Sequence, residues 1–252
     1  MSAAPSGDRP HGGALFIPHY RPMRRGRWEL RLLPRGFVPG YWSDPVLAED
    51  CPVLLRDGET WMALTPVEFE SQQTGILAAA GQVLVCGLGM GWAAAATAAR
   101  GEVERVTVVE SDAGVIGLVE ALGIFDQLPG EARAKLRIVH ADAFDHAADG
   151  PVDLLMPDIW RPMVSDGRVD EVRRLQAAAR ATDVYFWGQE LEIARHAVAA
   201  GRALDHAGVV ATVAEFGLPL IGLDQPDYPA KVEAAARRWM RGRWLPGTAA
   251  SW

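Results

Sequence analysis

The sequence predicts an α/β chain: a doubly wound, mostly parallel sheet preceded by a small strand-rich region. Three observations carry this expectation. An apolar strand ending at Cys86 runs into the alternate glycines Gly87, Gly89 and Gly91 and then into an alanine-rich segment with helical character. Two later apolar runs, Glu104 to Glu110 and Val152 to Pro157, each finish at an acid, Glu110 and Asp158. Helical patterns separate these runs, and an alternation of strands and helices builds a parallel sheet with its functional groups at the strands' carboxyl ends.

The elements follow in order. Met1 to Pro10 is rich in Ser, Pro, Gly and Ala without an apolar core, so the start of the chain is expected to be a disordered tail rather than a secretory signal. Trp28 to Leu32 alternates apolar and polar residues, as a half-buried strand does. Val53 to Arg56 and Glu59 to Leu64 flank Asp57-Gly58, a favoured hairpin turn. A helix then begins with Thr65 as N-cap, Pro66 at its first position and Glu68 three residues after the cap, the pattern of a capping box, which makes Glu68 structural. Gln72 and Gln73, beyond the box, are free to contact a ligand.

The glycine loop is the strongest local signal. Glycines at a strand-to-helix turn let backbone N–H groups approach a ligand where a Cβ would collide, and the helix N-terminus favours negative charge. The dinucleotide fingerprint G-x-G-x-x-G places its last glycine where this chain has Trp92. The observed G-x-G-x-G, covering Gly87, Leu88, Gly89 and Gly91, suits instead a loop around the sugar and amino-acid portion of S-adenosylmethionine.

Three strand ends supply further groups. Glu110, with Ser111 after it, emerges where ribose hydroxyls would donate to a carboxylate. The third strand, Leu136 to His140, leads to Asp142 and Ala143; Asp142 either accepts the amino hydrogens of an adenine or caps a turn. The fourth ends at Asp158, which would sit beside the glycine loop and either take a proton from a nucleophile or orient it. Trp160 and Arg161 follow, and a further predicted strand, Asp183 to Trp187, brings Trp187 toward the same edge as a wall of the substrate pocket.

Val83 to Gly91, Val106 to Glu110, Ala141 to Phe144 and Asp153 to Asp158 together resemble the class I S-adenosylmethionine-dependent methyltransferase fold, in its spermidine synthase-like branch. Val85, where many methyltransferases carry an acid, suggests the branch, and Thr65 to Gln73 precedes the first strand as the gate helix does there. The resemblance spans roughly Thr65 to Gly188. It implies S-adenosylmethionine as cofactor, with Glu110 on the ribose, Asp142 on the adenine and Asp158 in the position of the catalytic aspartate. Polyamine-forming members carry a second aspartate three residues later; here that residue is Arg161, whose charge would repel a polyamine and suit a carboxylate or phosphate. Methyl transfer to a small-molecule O or N acceptor therefore ranks above aminopropyl transfer from decarboxylated cofactor, with a catalytically silent nucleotide-binding protein as the third reading.

The domain organisation expected is a tail over 1–20, a β-rich region over 21–64 and an S-adenosylmethionine-binding Rossmann-like domain over 65–252. At 252 residues with a hydrophobic content of 49% the chain can bury a full core. A net charge of −7 argues against general nucleic-acid binding. Cys51 and Cys86 are too few for a disulfide framework, which makes the reducing cytoplasm the default. Ser71 to Ala99 lacks charge, yet its glycines and its strand-loop-helix reading argue against a membrane span. The six histidines show no zinc spacing, no metal is expected, and no G-x-S-x-G elbow is present. A small-molecule acceptor is the expected partner, with association through the N-terminal strands into a homodimer as a further reading. After Asp158, helices are expected over Val169 to Ala181 and Gln189 to Leu204, the latter amphipathic, and no strand pair is evident between Gly208 and Leu223.

Overall fold

The computed structural model describes residues 15–250. Most of the proposed tail, residues 1–14, lies outside them, as does His11. Residues 15–20, assigned to the same tail, are instead packed. Leu15 and Phe16 lie against the core, and buried Tyr20 donates its hydroxyl to the Met90 carbonyl at 3.1 Å. Burial of the apolar side chains of Leu15, Phe16 and Tyr20 stabilises this packing, while Ile17 stays exposed.

An antiparallel sheet follows, with β1 (Met23–Arg25), β2 (Trp28–Leu33), β5 (Cys51–Arg56) and β6 (Glu59–Ala63) in that order. Between β2 and β5 a small hairpin forms from β3 (Gly36–Val38) and β4 (Val46–Ala48). The β5–β6 hairpin pairs Arg56 with Glu59 across Asp57 and Gly58, whose φ angles of 53° and 86° make the left-handed turn that matches strand twist. Helix α1 (Pro66–Ala78) then crosses to the second sheet.

That sheet is wholly parallel. Its strands are β7 (Gly81–Cys86), β8 (Val103–Glu110), β9 (Leu136–His140), β10 (Leu154–Pro157) and β11 (Asp183–Val184), in the spatial order β11-β10-β7-β8-β9. Strand order reverses between β7 and β10, which opens a crevice at their carboxyl ends. The connecting helices are α2 (Trp92–Ala98), α3 (Ala113–Leu122), the short α4 (Gly130–Ala134) and α5 (Arg168–Ala179).

Alternation along β7 divides the interior. Val83 and Val85 join the core shared with the antiparallel sheet, α2 and α3, while Leu84 and Cys86 join the core under the C-terminal helices. Those helices are α6 (Gln189–Ala199), α7 (His206–Phe216) and α8 (Tyr228–Trp239). Helix α6 is buried along nearly its whole first two turns, its polar residues included, and ends at Ala199 short of the expected Leu204. The region after 207 forms helices, leaving only an isolated parallel bridge from Val184 to Leu220 as the remnant of another strand. No helix among the described residues is long and apolar enough to cross a membrane.

Candidate functional site

The crevice at the switch point opens into a cavity of about 930 Å³. Its floor is the glycine loop. The Gly87 N–H bonds the Val109 carbonyl at 2.8 Å and the Asp158 N–H bonds the Cys86 carbonyl at 2.7 Å, so the ends of β7, β8 and β10 are tied together. Gly87, at φ 99°, leaves no room for a Cβ against the Asp158 carbonyl, and a Cβ on Gly89 would stand 2.6 Å from the Met62 sulfur. Gly87 and Gly89 line the cavity as the sequence predicts.

Two members of the loop do other work. Gly91 lines neither this cavity nor the smaller one beside it. It is the left-handed N-cap of α2, and its Cβ position faces Ile124, Val119 and Phe125 in the core. Leu88 is buried; its backbone N–H reaches Glu110 Oε2 at 2.9 Å. Trp92, where a dinucleotide loop has its last glycine, packs against Phe69 of α1 with ring centroids 4.8 Å apart and donates to the Phe16 carbonyl.

Glu110 is anchored twice, since Oε1 also accepts the Asp112 N–H at 2.7 Å. Each oxygen keeps a further lone pair for a ligand hydroxyl. Ser111, Ala143 and Asp142 line the cavity beside it. Asp142 Oδ1 accepts the Phe144 N–H at 2.8 Å, so this side chain both caps its turn and faces the cavity. Trp160, Arg161 and Trp187 line it as well. Trp160 donates to Glu171 and Trp187 to Ser71 Oγ, which fixes both indoles. Arg161 donates to the Thr60 carbonyl and stands 5.2 Å from the Trp61 ring centroid, with its side chain about half exposed.

Gln72 of α1 donates to Asp158 Oδ2 at 2.8 Å, whereas Gln73 lines neither cavity. On a helix, adjacent positions diverge by about 100°, so the two cannot both face the site.

The sequence reading missed several residues here. Glu68 makes no capping box, because Thr65 contributes no side-chain cap bond. It is buried at 6% exposure and lines the same cavity as Asp158, to which the Gln72 amide donates. Burial, and then the Asp158 charge, holds Glu68 well above the usual carboxylate range. Burial also pushes Asp158 up to about 7, against the opposing pull of the Arg168 guanidinium and the Gln72 bond. Arg168 is itself 1% exposed, held by the Pro162 and Trp187 carbonyls and stacked 4.0 Å from Trp160.

The antiparallel sheet supplies the remaining wall through Trp28, Arg56 and Trp61. Arg56 lies about equally near both indoles, 5.4 and 5.2 Å from their centroids, and 3.7 Å from Asp112. Only the spacing of Trp28 within an alternating strand hinted at these residues, and it pointed to the core rather than to a ligand. Among the described residues no cluster of His, Cys, Asp and Glu is arranged to hold a metal.

No family model and no curated protein matches the sequence. Among solved structures, the methyltransferase domain of bacterial CtHen1 is similar at 16% identity over 47% of this chain and 65% of its own, with a TM-score of 0.38. Spermidine synthase from Thermotoga maritima is similar at 17% identity over 62% and 56%, with a TM-score of 0.40. The glycopeptide N-methyltransferase MtfA complexed with S-adenosylmethionine shows 21% identity over 44% and 47%, with a TM-score of 0.33. This chain therefore spans about half to two thirds of the length of the solved chains it resembles.

Proposed function

We propose that this protein binds S-adenosylmethionine at the parallel-sheet crevice and transfers its methyl group to an O or N nucleophile of a small acceptor. The observation that carries this reading is one continuous cavity joining Gly87 and Gly89 to Glu110 and Asp142 on one side and to Asp158 on the other. The residues fit the cofactor: the glycines form a cradle a Cβ would fill, Glu110 has lone pairs left that would take the ribose hydroxyls, and Asp142, on the same cavity, would take the adenine amino group. When bound, the cofactor supplies a methyl group on a cationic sulfonium.

The chain's own contribution is alignment, exclusion of water and a proton acceptor. Fixed indoles at Trp160 and Trp187 narrow the acceptor's path, and Asp158, titrating near 7, is matched to accept a proton at neutral pH. Arg161 sets a guanidinium on the cavity wall, which favours an acceptor bearing a carboxylate or phosphate over a polyamine. Two buried cysteines, both free, agree with the reducing cytoplasm in which we place the enzyme.

Calorimetric titration with S-adenosylmethionine, its decarboxylated form, methylthioadenosine and NAD tests the assignment. Preference for S-adenosylmethionine is expected. Tight binding of NAD alone would sink it, and preference for the decarboxylated form would turn the reading toward aminopropyl transfer.

A further inference from the structure

The buried carboxyl pair beside the glycine loop is unused by the reading above, which needs only Asp158. Glu68 comes from α1 and Asp158 from the end of β10, and Gln72, one turn along α1 from Glu68, donates its amide to Asp158. Both acids line the large cavity and the smaller one beneath it, so the pair stands at their junction.

We propose that Glu68 is a positioning residue of this site, kept as the neutral acid so that it and the Gln72 amide both donate to Asp158, leaving Asp158 as the single proton acceptor. The proposal deepens the transferase reading and rests on it for its catalytic consequence. Two carboxylates in one poorly solvated site cannot both ionise, so the pair keeps a proton, and the partner with less cationic support is the one that retains it. Around Asp158 the charged groups are Arg168 from α5, which favours its ionised form, and Glu110 from β8, which opposes it. Among the described residues, the groups that act on Glu68 are Asp158, Gln72 and the phenol of buried Tyr20, and none of them is a cation. The retained proton therefore sits on Glu68.

In the reaction this arrangement balances simply. The acceptor's lone pair forms the bond to the methyl carbon as the carbon–sulfur pair returns to sulfur, and the acceptor's proton passes to the Asp158 carboxylate and later to water. The neutral Glu68 neither gains nor loses a proton. Its hydrogen bond keeps Asp158 ionised at a pH where burial alone would protonate it.

Carbon-13 NMR of the full chain without ligand, with glutamate and aspartate labelled separately, reads both titrations. A glutamate carboxyl still protonated above the pH at which an aspartate titrates near 7 is expected, vanishing in Glu68→Gln. In Asp158→Asn the Glu68 titration should move down, because the neighbouring charge has gone. Ionisation of Glu68 before Asp158, or no movement in Asp158→Asn, overturns the proposal.

Rate profiles supply the second arm. Glu68→Gln, which keeps a donor, should leave the low-pH limb of kcat/KM near its wild-type place, while Glu68→Leu should raise it by roughly one pH unit. A uniform loss of rate in Glu68→Leu without movement of the limb would mark Glu68 as merely structural and refute the proposal. Should no cofactor bind, the transferase reading fails on the calorimetry while the NMR arm still decides the proton's location.

Discussion

Asp158 gathers onto one side chain the proton chemistry proposed for the site. Asp158→Asn keeps the size of the side chain and its carbonyl acceptor for Gln72 but removes the base. Turnover should fall about 10²-fold or more while S-adenosylmethionine affinity stays within a few-fold, as steady-state rates and calorimetry would show; equal activity would remove Asp158 from the mechanism. Gly87 is constrained differently, by a positive φ and by the Asp158 carbonyl at its Cβ position. Gly87→Ala should abolish cofactor binding and cost more than about 1 kcal/mol of stability, measurable by denaturant titration. Strand-end residues such as Glu110 and Asp158 were legible in the sequence because a parallel strand delivers its last residue to a known edge. Glu68 was not, because a Thr-x-x-Glu spacing fits a capping box equally well and only the packing of α1 shows which way the carboxyl turns.

At the scale of elements, α1 ties the two sheets together with acids at both of its flanks. While Glu68 faces the cavity, Glu70 Oε2 accepts the backbone N–H groups of Tyr41, Trp42 and Ser43 at 2.8 to 3.1 Å, and Oε1 accepts the Ser43 hydroxyl. This one carboxylate closes the loop between β3 and β4. Glu70→Ala should cost about 2–3 kcal/mol and expose that loop to proteolysis, which limited digestion followed by mass spectrometry would detect. The hairpin at Asp57-Gly58 and the glycine turn were readable because their backbone angles demand particular residues. The α6 register was not, since Glu190 and Glu192 read as a polar face until their partners, most of them from outside the helix, are in place. Glu190 accepts from the hydroxyls of Tyr41, Tyr185 and Tyr228, and Glu192 accepts from the Ser165 N–H and lies 3.7 Å from Arg195.

For the whole molecule these buried acids set how stability follows pH. Burial lifts Glu190, at 0% exposure, to about 7 against its tyrosine bonds. A carboxyl whose folded pKa is raised contributes stability that is complete below the unfolded value, near 4.5, and is lost as pH rises through the folded one. Between about 4.5 and 7 the folded chain binds more protons than the unfolded chain, so Glu190 should remove about 3 kcal/mol across that window. Glu190→Gln should flatten the decline, which thermal melts at both ends of the window would show; an unchanged slope would exclude Glu190 as its source.

The wall made by Trp28, Arg56 and Trp61 comes from a different stretch of chain than the floor it faces. The cavity is a seam, sewn from two sheets that lie on either side of Thr65 in the sequence. A fragment beginning there would keep the glycines and every strand-end acid yet lose the wall opposite them, so the residues at the strand ends are separable in sequence from those that enclose them. Substitutions at Trp28, Arg56 or Trp61 would therefore reshape one wall of the cavity without touching the glycines or the strand-end acids.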